Sequence, residues 1–368
     1  MERRKNLNDK FGFADLMKIK DFIDYEQPNE YIVESDRYSS KYSTPVLTAG
    51  QSFILGYINE NKGIYKKGPC IIFDDFTTSV HYVDFPFKVK SSAMKILTAK
   101  SNADLKYCYY LLLSLSKMPP NHKRQWISTT SEKNHLLPST DKQISIVKQL
   151  DLISDNIANY TNQIENLDNL VKARFVEMFG DPIINSFRIE TKPMTDVCEI
   201  IDGDRGKNYP TADEFFDEEY CLFLNAKNVT STGFNFDTCM FVTKEKDEAL
   251  RKGKLSRGDI VLTTRGTLGN LAFYTKAVPF EHVRINSGMV ILRMKQDIVD
   301  EVYFIEQFKM QLADIREKIA SGSAQPQLPI STMNKINILI PDIEKQRQFA
   351  DFVRQVDKSK FRYFVPHK

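Results

Sequence analysis

Three loops in the second half of the chain place cations, hydroxyls and amides next to glycine. They are Gly203–Lys207, Arg265–Gly269 and the segment from Ser321 to Gln327. The side chains of interest in them are Arg205, Lys207, Arg265, Thr267, Ser321, Gln325 and Gln327. Arginine can pair with guanine and glutamine with adenine in the major groove of DNA, while lysine and serine can hold phosphates. Each loop is also compatible with an ordinary solvated turn, so the residues alone leave both interpretations open.

The first half of the chain offers a weaker set of the same kind. Its members are Lys66, Lys67, Thr77, Lys123 and Arg124. Surface charge, or a turn with a purely structural role, explains these residues at least as well as contact with a nucleic acid. We therefore treat them as candidates that depend on what the second half does.

Motifs of the main DNA-acting enzymes are missing from the sequence. An adenine methyltransferase needs an Asn/Asp-Pro-Pro-Tyr/Phe motif, and a motor needs the phosphate-binding GxxxxGK[ST] loop; neither occurs. Asp342 followed by Glu344 and Lys345 superficially resembles a nuclease signature, but no strand separates them and they lie at a predicted helix start. The sequence therefore predicts a chain without a catalytic site.

Composition excludes further classes. The five cysteines include no CxxC pair, which favours reduced thiols in a cytoplasmic protein over a disulfide framework or a zinc site. No run of eighteen apolar residues or secretory signal is present, so we expect no membrane span. Net charge is only +3, and residues 141–181 carry seven acidic against four basic residues. The excess positive charge therefore lies outside this central segment.

The central segment predicts one long helix. Residues 143–179 lack proline and glycine, Gly180 and Pro182 end the segment, and Thr140 with Gln143 resembles a capping box. At ~1.5 Å per residue such a helix is roughly 55 Å long. Apolar residues recur at alternating steps of four and three, with one interruption at Arg174, which is typical of a coiled-coil seam, although a core helix of a bundle remains an alternative. The seam consists of Ile146, Leu150, Ile153, Ile157, Tyr160, Ile164, Leu167, Val171 and Met178.

The chain also contains an internal repeat with a constant offset of 203 residues. Residues 127–153 read ISTTSEKNHLLPSTDKQISIVKQLDLI, and residues 330–356 read ISTMNKINILIPDIEKQRQFADFVRQV. The shared spacing of the Ile-Ser-Thr start, the proline and the Lys-Gln helix opening indicates a duplicated domain-plus-helix unit. In the second copy the seam continues through Phe349, Val353 and Val356.

The repeat divides the chain into alternating domains and helices. We predict a mixed α/β (α+β) domain at 1–136, a spacer helix at 137–182, a second similar domain at 183–340 and a distal helix at 341–368. Predicted strands are Pro69–Phe73, Tyr220–Leu224, Ile260–Thr264, Leu271–Tyr274 and Gly288–Leu292, with helices at Leu105–Leu115 and Val299–Ile319.

These motifs resemble the specificity subunits of type I restriction-modification enzymes. The resemblance lies in the seam ending LDNLVKARFVEMFGDP, the helix openings LLPSTDKQ and LIPDIEKQ, and the second-domain segment LSRGDIVLTTRGTLGNLAFY. It covers nearly the whole chain, and KKGPCIIFDDFTTSVHYVDFPFKVKSSAMKIL is a shorter echo in the first domain.

The resemblance implies a function and a set of partners. Each domain would be a target recognition domain that reads one half of a split double-stranded DNA sequence. The two helices would pack as an antiparallel coiled coil with pseudo two-fold symmetry, set the half-site spacing and dock methyltransferase subunits. Restriction subunits would join that core. This chain would need no cofactor, whereas S-adenosylmethionine, ATP and magnesium would bind to the partner subunits.

The distal helix departs from the family pattern because it is short. Its seam fades near Lys358, and Pro366 prevents continuation, which predicts about eighteen residues or roughly 27 Å. Antiparallel pairing would then cover Ile164 to Met178 and leave Ile146 to Ile157 without an intramolecular mate. A shortened allele, cover by methyltransferase subunits or self-association would each explain this. A coiled-coil scaffold without DNA specificity, an inactive allele and a fragment of a single-chain restriction-modification enzyme remain the alternative functions.

Overall fold

The computed structural model describes residues 13–48, 52–119, 123–295, 298–320 and 327–364. The chain divides into two compact units, Met1–Asn159 and Tyr160–Lys368. The boundary between the units falls inside the central helix, so each unit contains one domain and one part of that helix.

The first unit contains a mixed domain followed by the start of the long helix. Its strands are β1 (Phe13–Lys18), β2 (Ile23–Glu26), β3 (Thr44–Leu47), β4 (Ile54–Ile58), β5 (Cys70–Asp74), β6 (Val80–Val83), β7 (Lys88–Val89), β8 (Met94–Ala99) and β9 (Asn134–Pro138). Its helices are α1 (Leu105–Leu115) and α2 (Thr140–Phe179), with short helical turns at Ile19–Asp21, Pro28–Tyr31 and Trp126–Thr130.

Three sheets organise this domain. One has the strand order β2-β8-β5-β6 and is antiparallel throughout. Another has the order β4-β3-β7, in which β3 pairs antiparallel with β4 and parallel with β7. The third is the antiparallel pair β1-β9, which leads directly into α2.

Strand β5 of the four-stranded sheet is buried on both faces, which explains the continuous apolar run Cys70–Phe73. Ile71 and Phe73 pack into one hydrophobic cluster with α1, while Cys70 and Ile72 pack into another on the opposite face. Successive side chains of a strand point to opposite faces, so a strand between two cores has no polar face to present.

The second unit repeats this plan. Its strands are β10 (Thr191–Pro193), β11 (Cys198–Asp202), β12 (Cys221–Leu224), β13 (Val229–Thr230), β14 (Gly233–Phe234), β15 (Phe241–Val242), β16 (Ile260–Thr263), β17 (Leu271–Phe273), β18 (Val283–Ile285), β19 (Met289–Met294) and β20 (Asn337–Leu339). Its helices are α3 (Met194–Val197), α4 (Lys244–Ala249), α5 (Glu301–Ala320), α6 (Ile330–Met333) and α7 (Ile343–Phe364), with a 3-10 turn at Ala212–Glu214.

The topology of the second domain matches that of the first, sheet by sheet. Its four-stranded antiparallel sheet has the order β11-β19-β16-β17, and its three-stranded sheet has the order β15-β12-β18 with one antiparallel and one parallel pairing. The pair β10-β20 leads into α7 as β1-β9 leads into α2. The hairpin β13-β14 has no counterpart among the described strands of the first domain. The predicted duplication of a domain-plus-helix unit is therefore confirmed, and the predicted strands and helices lie within a few residues of the observed ones.

The long helix is confirmed as one continuous element of 40 residues, but its buried seam differs from the predicted one. Ile164 and Leu167 are partly buried and Val171 is buried, as expected, whereas Phe175 and Phe179 are fully buried and were not predicted. Both rings pack around Phe349 and Tyr303, with ring centroids between 5.0 and 5.7 Å apart. Arg174 therefore does not interrupt the seam, because the Phe175 side chain provides the buried apolar contact in this turn.

The distal helix packs antiparallel to the end of α2 within the second unit. Phe349 contacts Phe175 and Phe179, and further along the Lys360 ammonium lies 2.8 Å from the Asp168 carboxylate. Val353 and Val356 are buried in the same cluster, as predicted. The predicted length was wrong, since α7 has 22 residues and continues beyond Lys358 to Phe364.

The start of α2 is fastened to the first domain. Ile146 packs against the cluster formed with α1, so the expectation that it has no intramolecular mate was wrong. The Asp151 carboxylate also accepts hydrogen bonds from Lys106 and Tyr110 at 2.7 Å each. Further along, Ile153 is 54% exposed and Ile157 is 61% exposed, so the solvent-facing stripe begins after Leu150.

The proposed capping box at Gln143 was also wrong, because this side chain joins the helix to the domain. Gln143 is fully buried; its amide oxygen accepts from the Asp104 N–H at 2.7 Å, and its NH₂ donates to the Pro138 carbonyl at 2.8 Å. In the second unit Gln346 accepts from the Asp300 N–H at 3.0 Å and donates to the Pro341 carbonyl at 2.8 Å. The repeated Lys-Gln thus places a buried glutamine, Gln143 or Gln346, that hydrogen-bonds each helix to its domain. We call this pair of hydrogen bonds the latch.

Candidate nucleic-acid interface

One edge of the second domain brings several predicted residues together. The loop after β11 contains Gly203, which packs so tightly on the segment between β18 and β19 that a Cβ there would clash with the Asn286 carbonyl oxygen. Arg205 comes two residues later, and its guanidinium donates to Asp202 at 3.1 Å and to the Ser287 carbonyl at 3.2 Å. Lys207 is exposed on the same loop.

A buried carboxylate holds this loop in shape. Asp204 accepts the backbone N–H of Gly206 and that of Arg251, each at 2.7 Å. These hydrogen bonds, that of Gly206 first, hold the pKa of Asp204 below its usual value despite its burial. The ionised carboxylate therefore fixes the backbone that presents Arg205 and Arg251.

The loop between β16 and β17 is built on two buried threonines. Thr264 donates its N–H and its hydroxyl to the Gly288 carbonyl at 2.8 and 3.0 Å, and the Thr263 hydroxyl donates to the Thr267 carbonyl. Gly266 and Gly269 adopt φ of +72° and +85°, a region that favours glycine. Arg265 and Thr267 lie exposed on the surface of this turn.

Gln327 lies directly beside Arg265. The two residues form an isolated antiparallel β-bridge, and the next N–H, that of Leu328, donates to the Thr264 carbonyl at 3.1 Å. Both side chains are exposed, although they are far apart in the sequence. Ser321 and Gln325 lie outside the described residues, so their predicted roles remain predictions.

Two cations at this edge were not predicted from the sequence. Arg251 and Lys252 line one concave surface together with Arg205, and Arg251 is 75% exposed in its side chain. The signal that could have found them is the run RKGK at 251–254, directly before the LSRGD segment. Among the described residues, this edge thus includes the cations Arg205, Lys207, Arg251, Lys252 and Arg265, and the first and third of these lie beside Asp202 and Asp204.

The segment that carries Arg251 and Lys252 is anchored by a buried ion-pair network. Asp247 is fully buried; its carboxylate accepts from Lys254 at 2.5 Å and from Arg284. Burial raises the pKa of Asp247, but the hydrogen bonds from Lys254 and Arg284 outweigh it and hold the pKa below its usual value. Arg284 also donates to the Lys252 carbonyl at 2.7 Å, which ties the exposed cations to the core.

The corresponding edge of the first domain contains four of the five candidates there. Thr77 lies in the loop between β5 and β6, where its hydroxyl donates to Ser79 at 3.1 Å. Lys123 and Arg124 are exposed. They lie beside this loop, because the N–H of the next residue, Gln125, donates to the Asp75 carbonyl at 2.8 Å.

Lys67 and Lys66 differ from the other candidates. Lys67 belongs to the same edge, but its ammonium already lies 2.8 Å from the Glu26 carboxylate at the end of β2. Lys66 lies elsewhere, because it lines a cavity over the three-stranded sheet with Tyr57 and Phe85. Of the two, only Lys67 therefore lies at the end of β2, and its charge is already paired with Glu26.

A buried lysine supports the first-domain edge from below. Lys95 is fully buried, with its Nζ 3.0 Å from the Gln27 side-chain oxygen and 3.1 Å from Asp75 Oδ2, the latter an ion pair without hydrogen-bond geometry. Asp75 Oδ1 in turn accepts the N–H groups of Gln125 and Trp126 at 3.0 and 2.7 Å. Lys95 is thus a structural cation that links three loops and is not available to a ligand.

Three features of the described residues concern metal ligands, thiols and helix hydropathy. Among them, no group of three or more His, Cys, Asp or Glu side chains could hold a metal ion. All five cysteines are free, and burial raises the pKa of Cys70, Cys108, Cys198 and Cys221 to about 12. In the parts of the chain that the structure describes, no helix is both long and apolar enough to span a bilayer.

Comparison with known proteins agrees with this architecture. A family profile described as the type I restriction modification DNA specificity domain matches residues 188–362. The chain is 42% identical over 361 residues to the EcoR124I/EcoR124II specificity subunit of a type I restriction enzyme from Escherichia coli, covering 94% of this chain and 87% of that one. The crystal structure of a type I restriction-modification system S subunit from M. genitalium matches with a TM-score of 0.56 and 16% identity. That match covers 95% of this chain and 91% of the other, and it supports the fold.

Proposed function

Because this chain belongs to the type I restriction-modification DNA specificity family, we propose that it is the subunit that recognises the DNA target, with each domain reading one half of a split sequence. The observation that carries the proposal is the edge at which Arg205, Arg265 and Gln327 converge, with a similar edge in the first domain. These side chains carry guanidinium and amide groups, which read bases, on loops held by buried backbone hydrogen bonds.

The chain acts without a catalytic site of its own. Methyltransferase subunits bind to its helices and restriction subunits join that core. S-adenosylmethionine, ATP and magnesium bind to those partners. The assembly works in the cytoplasm, where the host DNA is. The family resemblance supports these partners, and the buried Gln143 and Gln346 latches support a rigid connection between each domain and its helix.

The decisive experiment is a gel-shift assay with and without the methyltransferase partner, combined with methylation profiling of host DNA. We expect a single split sequence to be methylated only when this chain is present, and tight binding to duplexes that carry that sequence. Binding that is equal for all duplexes at the same salt concentration, with no change in the methylated sequence, would favour the scaffold alternative.

A second proposal concerns self-association through α2. Leu152 and Ile153 are 57% and 54% exposed on this helix, and contiguous exposed apolar surface marks contact sites. We expect the isolated chain to self-associate through this stripe and a methyltransferase subunit to compete with the second copy. Sedimentation at micromolar concentration tests this, with the double variant L152E/I153E as the comparison. A clean monomer for the unmodified chain contradicts the proposal.

A further inference from the structure

The duplication places two exposed, base-reading side chain types at equivalent positions in the two domains. We propose that Arg124 and Gln327 each read one base pair, at equivalent positions in the two half-targets. Arg124 selects guanine and Gln327 selects adenine. This inference rests on the proposed function, because it assigns bases to residues of the same edges.

The sheets that support these two edges are equivalent. β5 and β16 are the third strands of two four-stranded sheets with matching order, and each is followed by the loop that joins it to the fourth strand. The first loop residue is Asp75 in one domain and Thr264 in the other. Asp75 and Thr264 are therefore topologically equivalent, although their sequence separation differs from the repeat offset.

Both of these loop residues make the same backbone hydrogen bond. The Asp75 N–H donates to the Ala93 carbonyl at 3.0 Å, and the Thr264 N–H donates to the Gly288 carbonyl at 2.8 Å. Ala93 and Gly288 each immediately precede the second strand of their sheet, β8 or β19. The same loop geometry is thus built twice from unrelated side chains.

The carbonyl groups of the same two residues hold the segments that carry Arg124 and Gln327. The Asp75 carbonyl accepts the Gln125 N–H at 2.8 Å, and the Thr264 carbonyl accepts the Leu328 N–H at 3.1 Å. Gln125 and Leu328 are separated by 203 residues, the offset of the internal repeat. The residues directly before them, Arg124 and Gln327, therefore hold the same position relative to the sheet, and both are exposed.

The side-chain chemistry then predicts different bases. A guanidinium forms two hydrogen bonds with O6 and N7 of guanine, and a carboxamide forms two with N6 and N7 of adenine. Among the described residues, no carboxylate forms a salt bridge with Arg124, in contrast to Lys67, which is paired with Glu26. The two positions are therefore suited to specify one base pair each, one in each half-target.

The test exchanges the two side chains. The full-length chain is produced with its methyltransferase subunits in a host free of other adenine methylation, as wild type, R124Q and Q327R, and the methylated sequences are profiled. We expect R124Q to change the preference at one base pair of one half-target from G·C towards A·T by about 10-fold or more. We expect Q327R to produce the opposite change in the other half-target only.

Control variants keep the outcome interpretable. R188Q makes the same chemical change at an exposed residue in the turn between α2 and β10, outside the helices and the two edges, and should leave the methylated sequence unchanged. R124K retains the charge but not the planar, two-pronged geometry, so it should relax the preference at the same base pair while DNA is still bound. Melting temperatures of all variants identify any that fail to fold.

Several results would overturn the inference. One is that R124Q and R124K methylate the wild-type sequence at wild-type rates. Another is an equal loss of methylation on all sequences, as expected for a phosphate contact. The third is that R124Q and Q327R change the preference in the same half-target. If the wild-type chain itself directs no split sequence, the proposed function fails. If the wild type does so and the variants keep its sequence, only this inference fails.

Discussion

Arg265 illustrates how a single residue is prepared for recognition. Its backbone is held by the Gln327 bridge and by the Thr263 and Thr264 hydrogen bonds, so little of the turn remains to be ordered when DNA binds. A side chain presented by a preorganised backbone loses less conformational entropy on binding than one on a loose loop. The Asp204 carboxylate does the same for the loop that carries Arg205.

At this scale we predict the effect of R265A on DNA binding. Loss of a paired contact with a base should weaken binding to the preferred duplex by ~1–3 kcal/mol and relax discrimination at one base pair. Fluorescence anisotropy titrations of the complex with methyltransferase subunits, using single-base variants of the duplex, measure both. R188A, in the exposed turn between α2 and β10, is the matched control. An equal loss on all duplexes, with a smaller salt dependence, would instead assign Arg265 to a phosphate.

At the scale of elements, two buried glutamines determine how helix and domain are joined. Gln143 bridges the start of α2 to the N-terminus of α1, and Gln346 bridges the start of α7 to the N-terminus of α5. Asp104 and Asp300, whose N–H groups the amides bind, also accept hydrogen bonds from the first turns of α1 and α5. The latch therefore joins two helix starts at one point in each domain.

We predict that Q143A and Q346A destabilise their own units by similar amounts. Each substitution leaves an N–H and a carbonyl at a buried or partly buried junction without their partner, which costs about 1–3 kcal/mol per group that stays unsatisfied. Urea unfolding gives the change in free energy of unfolding, and Q355A on the exposed face of α7 is the control. A change within ~0.5 kcal/mol for the latch variants, as is usual for surface substitutions, would contradict the role of the latch.

At the scale of the whole molecule, the two ends of α2 pack on different elements. Its start packs on the first domain through Ile146, and its end packs on the second domain and α7 through Phe175 and Phe179. Each fully buried phenylalanine contributes roughly 1.5–3 kcal/mol. The boundary between the compact units falls between Asn159 and Tyr160, where the helix has exposed side chains on both sides of the junction.

We therefore predict that inserting four residues after Asn159 changes the tolerated spacing between half-targets or abolishes assembly. Four residues lengthen a helix by ~6 Å and rotate the part of the helix beyond the insertion by roughly 40°. Methylation profiling of host DNA reports the spacing. The same insertion after Ser231, in the exposed turn between β13 and β14, is the control. Full activity with unchanged spacing would exclude a role for α2 as a spacer.

Local patterns in the sequence were sufficient for the elements and the duplication. The all-apolar run Cys70–Phe73 and the uninterrupted segment 143–179 each depend on neighbours within one strand or helix, and the duplication follows from matching two stretches of sequence 203 residues apart. Hydrophobic periodicity reports such local geometry directly. The end of α7 was misjudged because its last turns carry a weak apolar pattern, and Phe175 was overlooked because Arg174 precedes it.

The sequence by itself determined which elements this chain forms, and that a domain followed by a helix occurs twice. Only the tertiary structure decided which loops meet. Arg265 and Gln327 are 62 residues apart, and the segments of Arg124 and Gln327 are held by Asp75 and Thr264, whose separation does not match the repeat. Backbone hydrogen bonds between distant loops carry no side-chain pattern, because almost any residue can donate or accept them. The recognition edges therefore became visible only when the sheets that hold them were assembled.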